Sequence, residues 1–258
     1  MRPLSRFPFR GTFFVLLFVC LSSIQAQDSL RILTYNVRNC RGLDDYSVIN
    51  TERIGQVVTK QSPDVTGIQE LDNQTQRSQN RNILQELAAE TKMNPTYGAA
   101  IDFQGGQYGV GILSKEKPIK TTSVPLPGKE EKRVLLIAEF DRYVFFCTHF
   151  SLTEASRLES VAIINAERQK YADKPVVLVG DLNATPDSEV IQTLNKTWQR
   201  ASGLDFTFSA DKPYETIDYV FVSCPNGEKV SVKSTHVVEE PVASDHRPVL
   251  TVVEFPHK

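Results

Sequence analysis

The feature that most constrains this fold is the recurrence of short apolar runs typical of β-strands. Eight such runs occur, at residues 30–37, 64–70, 108–114, 133–140, 143–150, 175–183, 216–223 and 247–255. In the run 143–150, Phe145 and Cys147 lie on one face of a strand and Val144 and Phe146 on the other. Because both faces are apolar, we expect this strand to be covered on both sides.

Two helical patterns separate some of these runs. Residues 49–61 and 152–172 each repeat apolar side chains at helical spacing. The apolar face of the second pattern is formed by Ala155, Leu158, Val161 and Ala162. No internal repeat or low-complexity linker divides the chain. The expected fold class is therefore α/β, with two mixed β-sheets flanked by helices in a single domain.

The N-terminus has the order of a secretory signal peptide. Three arginines, an apolar run and a small-residue stretch follow one another within residues 1–26, which predicts cleavage after Ala26 and an exported protein, periplasmic or extracellular. The apolar run is too short to favour a membrane span, so no integral membrane segment is expected in the remaining domain, residues 27–258. A lipid anchor on Cys20 is the alternative, and the bulky Phe18 and Val19 disfavour it.

Charge and cysteine content narrow the functional classes. Cleavage removes three arginines and no acidic residue, so 26 basic and 31 acidic residues remain and the net charge is −5. This charge disfavours a broad polyanion-binding surface, which makes nucleic acid a disfavoured partner. Three cysteines remain, Cys40, Cys147 and Cys224. An odd number allows at most one disulfide, and the sequence leaves its pairing open.

Polar side chains stand at the ends of several apolar runs. Asn36, Glu70 and His149 each end a run, and so do Asp181 and Asn183, which are two residues apart. Polar groups that follow neighbouring strands meet at a common edge of a sheet. Each residue alone has a structural explanation, such as a turn hydrogen bond for Asn36 or an Asx-turn at Asp181.

Further polar candidates are Asp218, inside the run 216–223, and Asp245 with His246, just before the last strand. The combined set is hard to explain structurally. Carboxylate and amide oxygens suit Mg²⁺ or Mn²⁺ and are poor ligands for a cysteine–histidine zinc site. Two histidines add proton-transfer capacity near neutral pH. Metal, histidine and amide donors together are what water attack on a phosphate ester requires.

Seven sequence blocks in order carry a family resemblance. They are LTYNV, GIQE, YGVGILS, CTHF, GDLNATP, TIDYVFV and SDHRPV, and they cover about residues 30–255. In this order they resemble the endonuclease/exonuclease/phosphatase superfamily of metal-dependent phosphoesterases. The resemblance implies a four-layer α/β sandwich with a divalent metal, Mg²⁺ or Mn²⁺, at the site.

The resemblance also implies roles for matched positions. Glu70 would be the principal metal ligand, with Asn36 beside it and Asp245 helping. Asp181 and Asn183 would hold the attacking water and a phosphate oxygen, or a second metal. Asp218 would orient His246, which acts in proton transfer, and His149 would be a second catalytic histidine. Tyr108 would contact substrate, although a packed strand aromatic is an equal alternative.

Two departures argue against a DNA-repair enzyme. The residues after Cys147 are Thr148, His149 and Phe150, where abasic-site endonucleases usually carry tyrosine, proline and asparagine. Arg38 stands where those enzymes usually carry an acid. We therefore expect a secreted, Mg²⁺-dependent, monomeric phosphoesterase acting on a lipid-, sugar- or inositol-phosphate ester. The alternatives are an extracellular nuclease and a catalytically inactive binding module of the same fold.

Overall fold

The computed structural model describes residues 29–256, and the predicted signal peptide and His257 lie outside the described residues. Within that range the chain forms twelve strands: β1 (Ser29–Asn36), β2 (Val65–Asn73), β3 (Asn94–Phe103), β4 (Gly106–Ser114), β5 (Lys120–Leu126), β6 (Arg133–Glu139), β7 (Val144–His149), β8 (Val176–Asp181), β9 (Gln199–Arg200), β10 (Asp218–Ser223), β11 (Ser231–Val237) and β12 (Val249–Glu254). The same residues form four α-helices: α1 (Thr51–Gln61), α2 (Ile83–Thr91), α3 (Glu154–Gln169) and α4 (Glu189–Asn195).

The strands form two six-stranded sheets. The first has the order β11-β12-β1-β2-β4-β3 and the second the order β5-β6-β7-β8-β10-β9. Each sheet contains one parallel pair, β1 with β2 and β7 with β8, and its other neighbours are antiparallel. In chain order α1 connects the first parallel pair and α3 the second. Both sheets are therefore mixed, as the sequence predicted.

Three apolar cores confirm four layers. Side chains such as Ile32 and Val179 pack between the two sheets. A second core joins the outer face of the first sheet to α1 and α2, with Ile54 as one member. A third joins the outer face of the second sheet to α3 and α4, with Phe146 and Val161 among its members. The order is helices, sheet, sheet, helices.

Side-chain caps explain where three of the helices begin. Asn50 accepts a hydrogen bond from the backbone N–H of Arg53 at the start of α1. Asn82 does the same for Gln85 in α2, and Ser188 for Ile191 in α4. A side-chain oxygen at this position satisfies one of the N–H groups that the first helical turn leaves unpaired.

The sequence missed every sheet edge. Strands β3, β5, β9 and β11 are the four edge strands, and none was predicted from an apolar run. Edge strands are only partly covered, and β11 is exposed along most of its length. Their sequences therefore lack the continuous apolar pattern of a central strand. Helices α2 and α4 were also missed, since both are short, at 9 and 7 residues.

Part of the predicted face of α3 is wrong. Ala155 and Ala162 are exposed, and the buried residues are Ser160, Val161 and Ile164. Ser160 tolerates burial because its hydroxyl donates to the backbone carbonyl of Ser156, 2.8 Å away.

The three cysteines within residues 29–256 form no disulfide. Cys40, Cys147 and Cys224 are all buried and free. Cys147 lies between the sheets, so it serves as a small apolar side chain. Among residues 29–256, no helix has the length and apolar character needed to cross a bilayer.

Candidate active site

The two parallel pairs end at the same side of the molecule and supply the centre of the site. Asn36 and Glu70 lie at or near the carboxyl ends of β1 and β2, and His149 and Asp181 end β7 and β8. Asp181 pairs in register with His149 on one side and with Asp218, the first residue of β10, on the other. The sheet topology thus brings together polar residues that are far apart in the chain.

The side chain of Asn36 connects the two sheets. Its amide nitrogen donates to Glu70 Oε1 at 3.1 Å and to Asp181 Oδ2 at 3.0 Å. The amide oxygen accepts the backbone N–H of Arg38 at 3.1 Å. Asn36 is fully buried, so these bonds fix its position and hold two carboxylates of the site at a defined separation.

Glu70 is presented by an irregular backbone. It lies at a register shift between β2 and β4 and has a left-handed φ of 61°, which is strained for a non-glycine residue. Burial raises the pKa of its carboxyl, and the nearby Asp245 and Asp181 add to the rise while the Asn36 hydrogen bond opposes it. Bulges often re-aim a side chain beside an active site, and this one places a carboxylate among others.

His246 is held by Asp218. Its Nδ1 lies 2.9 Å from Asp218 Oδ2, and its Nε2 lies 3.6 Å from Asp181 Oδ2. Phe208 packs on the imidazole with a centroid distance of 4.9 Å. Burial alone would lower the pKa of His246, but the charges of Asp218 and Asp181 outweigh it and raise the pKa to about 10. The imidazole is therefore cationic at neutral pH.

His149 has the opposite surroundings. Its Nε2 lies 3.4 Å from Asp181 Oδ2, and its Nδ1 lies 3.3 Å from Nη1 of Arg133. Burial, which outweighs the opposing charge of Asp181, and the positive charge of Arg133 together lower the pKa of His149 to about 4. Since arginine only donates, Nδ1 must accept and the single proton of this neutral imidazole lies on Nε2.

The loop before β12 is braced by its own residues. The Ser244 hydroxyl donates to the backbone carbonyl of Asn36 at 2.8 Å, and Arg247 Nε donates to the carbonyl of Ala210 at 2.7 Å. Asp245 pairs with Arg38, whose Nε lies 3.2 Å from Asp245 Oδ2. These contacts place Asp245 at the same cleft as Glu70.

A divalent cation fits the Glu70 side of the site best. Asp181, Asp218 and His246 offer ligand atoms within 4.8 Å of one another. However, Nδ1 of His246 is bonded to Asp218 Oδ2 at 2.9 Å, so these two atoms are already engaged with each other. Glu70 and Asp245 offer carboxylate oxygens that repel each other, and Asn36 Oδ1 keeps one lone pair. This oxygen set is typical of Mg²⁺ or Mn²⁺ sites.

The two remaining predicted residues lie beside this centre. Asn183 has a left-handed φ of 47°, and its backbone N–H donates to Asp181 Oδ1 at 2.9 Å. The Asn183 amide donates to the carbonyl of Phe150 at 2.9 Å. Tyr108 lines a cleft of about 200 Å³ together with Glu70 and Asp245. All nine side chains predicted from the sequence therefore lie at one site, and their roles stay predictions.

Sequence reasoning missed several residues of this site. Asn39, Tyr46, Arg77, Phe103 and Glu131 line the cleft. Arg133 begins β6 and contacts His149 across the sheet. Phe103 ends β3, an edge strand without an apolar run, and the charged residues Arg77, Glu131 and Arg133 stand in a 3₁₀ turn, in a loop and at a strand start, where such residues are usually solvated. No local signal therefore separates them from ordinary surface residues.

Comparison with known proteins agrees with this geometry. Residues 33–246 match the Endonuclease/Exonuclease/phosphatase family. A search of curated proteins finds no match.

Solved structures share the fold at low sequence identity. An endonuclease/exonuclease/phosphatase from Bacteroides vulgatus has a TM-score of 0.73 at 21% identity, covering 88% of this chain and 99% of that one. The mannosyl-6-phosphatase of Bacteroides thetaiotaomicron has a TM-score of 0.70 at 18% identity, covering 88% and 100%. TDP2 of D. rerio, solved with a single-strand DNA product, has a TM-score of 0.69 at 17% identity, covering 88% and 99%.

The family match spans most of the sequence, and the four-layer fold and the grouped polar residues agree with it. This chain belongs to the endonuclease/exonuclease/phosphatase family, whose members hydrolyse phosphate ester bonds.

Proposed function

We propose that this chain is an exported, divalent-metal-dependent phosphoesterase that acts on a small phosphate ester of the lipid-, sugar- or inositol-phosphate type. The observation that carries the proposal is the pair of histidines whose Nε2 atoms lie 3.4 and 3.6 Å from the same oxygen of Asp181, beside the half-buried carboxylate of Glu70. Two ionisable groups whose pKa values are shifted in opposite directions, next to a cation site rich in oxygen ligands, are suited to phosphate ester hydrolysis.

Each residue then has a defined task. Glu70, Asp245 and the Asn36 oxygen would hold Mg²⁺ or Mn²⁺, which would supply neutralisation of the negative charge that develops during phosphate ester hydrolysis. Asp181, whose other oxygen is held by the Asn183 backbone, accepts a proton from the attacking water.

The histidines complete this arrangement. His246 carries the proton that Asp218 stabilises and donates it as a hydrogen bond to a phosphate oxygen. Neutral His149 offers a second donor from Nε2. As the water oxygen bonds to phosphorus, the bond to the alcohol oxygen breaks, and the departing oxygen takes a proton from solvent water.

The substrate class is chosen on charge. The net charge of −5 predicted after signal cleavage favours a small ester over a long polyanion. The shared fold alone does not decide, since the similar structures include both a mannosyl-6-phosphatase and TDP2 bound to DNA.

A substrate panel tests this proposal. Purified residues 27–258 would be assayed with Mg²⁺, with Mn²⁺ and with chelator on an aryl phosphate, an aryl phosphodiester, hexose phosphates, phosphoinositides, sphingomyelin, RNA and plasmid DNA. We expect metal-dependent release of phosphate or alcohol from the small esters. Faster cleavage of nucleic acid would establish the nuclease instead, and no turnover of any compound would favour a binding module.

The metal assignment has its own variant. Glu70→Gln keeps the shape of the side chain and removes its charge, so metal affinity and rate should fall by about 10–100-fold or more. Calorimetric titration of Mg²⁺ into the wild type and the variant measures the affinity directly. Equal affinities would contradict the assignment of Glu70.

Export and monomeric state are also proposals. Mass spectrometry of the exported protein should find an N-terminus near Gln27, and sedimentation should give one chain per particle. A soluble cytoplasmic protein that retains Met1 would overturn export.

A further inference from the structure

The cleft beside Glu70 lies where the alcohol part of a substrate must sit. It is lined by Arg38, Asn39, Tyr46, Glu70, Arg77, Phe103, Tyr108, Glu131 and Asp245. Asp181 and the two histidines do not line it. In an in-line displacement the attacking and departing oxygens lie on opposite sides of the phosphorus. Water held by Asp181 therefore leaves the departing alcohol on the Glu70 side, in this cleft.

Arg77 is a rigid donor in the wall of the cleft. Its Nε and Nη2 each donate to the buried carboxylate of Asp72 at 2.8 Å, and Nη2 also reaches Asn39 Oδ1 at 3.1 Å. The Arg77 backbone N–H donates to Gln104 Oε1 at 2.9 Å. Among residues 29–256 no partner of Nη1 is found, so this donor is left for a ligand. Because hydrogen bonds to Asp72 and Asn39 already hold its guanidinium, Arg77 loses little conformational entropy when a ligand binds.

The aromatic side chains of the cleft are already covered by arginines. The Arg77 guanidinium lies 4.6 Å from the ring centroid of Phe103 and 5.2 Å from that of Tyr108. On the other side Arg38 lies 4.7 Å from the centroid of Tyr46. These stacked pairs leave no continuous apolar surface, so the cleft does not suit an acyl chain.

The charge of the cleft does not suit a polyanion. Two arginines, Arg38 and Arg77, line it against three carboxylates, those of Glu70, Glu131 and Asp245. A divalent cation held by Glu70 and Asp245 would leave the cleft with about one positive charge, which suits a single phosphate group. Arg77 is itself neutralised by the buried Asp72. Nucleic acid backbones bind where basic side chains are in excess, and these are not.

We propose that this cleft binds a single sugar ring, so that the substrate is a sugar monophosphate and Arg77 is its specificity-determining residue. Closely spaced donors and acceptors, Arg77 among the former and Glu131 among the latter, match the hydroxyl groups of a sugar. The volume of about 200 Å³ is below that of a site for a drug-sized ligand, which suits one ring. This inference rests on the proposed phosphoesterase function.

The test compares Arg77→Gln with a matched control, Arg53→Gln. Arg53 makes the same two-bond pair with a carboxylate, Asp44, but lies in α1 outside the cleft. For each protein kcat and KM would be measured on mannose 6-phosphate, glucose 6-phosphate and 4-nitrophenyl phosphate with saturating Mg²⁺. Losing a charged hydrogen-bond donor should lower kcat/KM on the hexose phosphates by about 10–100-fold, mainly through KM. Turnover of the aryl ester, which offers no hydroxyl groups to Arg77, should fall by a clearly smaller factor than that of the hexose phosphates, and the control should match the wild type.

Binding without turnover gives a second readout. In a Glu70→Gln background, calorimetry would measure the Kd of mannose 6-phosphate with and without Arg77→Gln. The substitution should raise this Kd by the same factor by which it lowers kcat/KM. If Arg77→Gln does not fold, Phe103→Leu keeps the Arg77–Asp72 pair and removes one stacked wall. It should raise KM for hexose phosphates alone.

The outcomes separate the two proposals. Equal loss on the aryl and hexose esters would overturn the role of Arg77. A wild type that prefers an oligonucleotide or lipid vesicles over hexose phosphates would overturn the sugar assignment while leaving the phosphoesterase intact. No metal-dependent turnover of any of these compounds would overturn the phosphoesterase itself, and the sugar assignment with it.

Discussion

His246 and His149 both approach the Oδ2 atom of Asp181, yet their charge states differ. Both are buried, at 5% and 8% exposure. His246 faces Asp218 and Asp181, which raise its pKa to about 10 although burial opposes the rise. His149 faces Arg133 as well as Asp181, and burial with the arginine charge lowers its pKa to about 4. Neighbouring charges, not the imidazole itself, decide which residue keeps a proton.

This difference suggests separate tasks. Paired groups whose pKa values are pushed apart commonly divide acid and base roles in an active site. Here the cationic His246 suits charge stabilisation and proton donation, whereas His149 suits neutral hydrogen bonding. The experiments below test whether the division is real.

The largest expected effect is the loss of His246. His246→Ala should lower kcat by about 10²–10⁴-fold, because a positioned proton donor is removed from the site. Turnover and melting temperature would be measured on the same samples. A variant that melts early yet turns over normally per folded molecule would show that His246 only fills the strand entrance.

The next largest loss of kcat is expected for Asp218→Asn, because this carboxylate lies 2.9 Å from Nδ1 of His246 and fixes its orientation and charge. The double variant Asp218→Asn with His246→Ala should be little worse than His246→Ala alone, since residues that act as a unit are not additive. Additive losses in kcat would mean that Asp218 acts independently of the histidine.

A smaller effect is expected at His149 when a donor is retained. His149→Gln keeps an N–H group, so we expect a loss of about tenfold, well below that of His246→Gln, where a charge is lost. Parallel kcat measurements compare the two. Equal losses would argue that His149 does more than donate a neutral hydrogen bond.

The pH dependence of stability should separate the histidines in metal-free protein. An unfolded histidine titrates near the ordinary value of 6.5, so between about 4 and 6.5 the unfolded chain binds more protons at His149 and stability rises with pH. Between 6.5 and about 10 the folded chain binds more protons at His246, so its contribution falls as pH rises. Denaturant unfolding of the wild type and of each His→Ala variant isolates the two contributions. If the free energy of unfolding of the wild type and of both variants changed with pH in the same way in both windows, the difference between the two histidines would be contradicted.

The smallest effect is expected for Arg133→Met. Removing the guanidinium that lies 3.3 Å from Nδ1 should raise the pKa of His149 and leave that of His246 nearly unchanged. Imidazole nitrogen shifts followed by NMR through a pH titration measure both groups. A fall in the His149 value would mean that burial of Nδ1, not the arginine charge, dominates.

Prediction from sequence worked best where burial is continuous. The eight apolar runs each contain a central strand, and the polar residues that end them meet at one site, because parallel strands deliver their carboxyl ends to one edge. It failed at β3, β5, β9 and β11, since an edge strand has only part of a core to face. It also failed at Arg77 and Arg133, whose partners are not marked by any local spacing.

The sequence by itself determined the family, through the resemblance of its seven blocks. It also determined the central strands of both sheets and the residues that gather at their ends, since these follow from local patterns of apolar and polar side chains. Only the tertiary structure decided which histidine is charged and which arginine is fixed. His246 lies 28 residues from Asp218, and Arg133 lies 16 residues from His149. Burial and charge act through space, so these properties exist only once the two sheets have packed together.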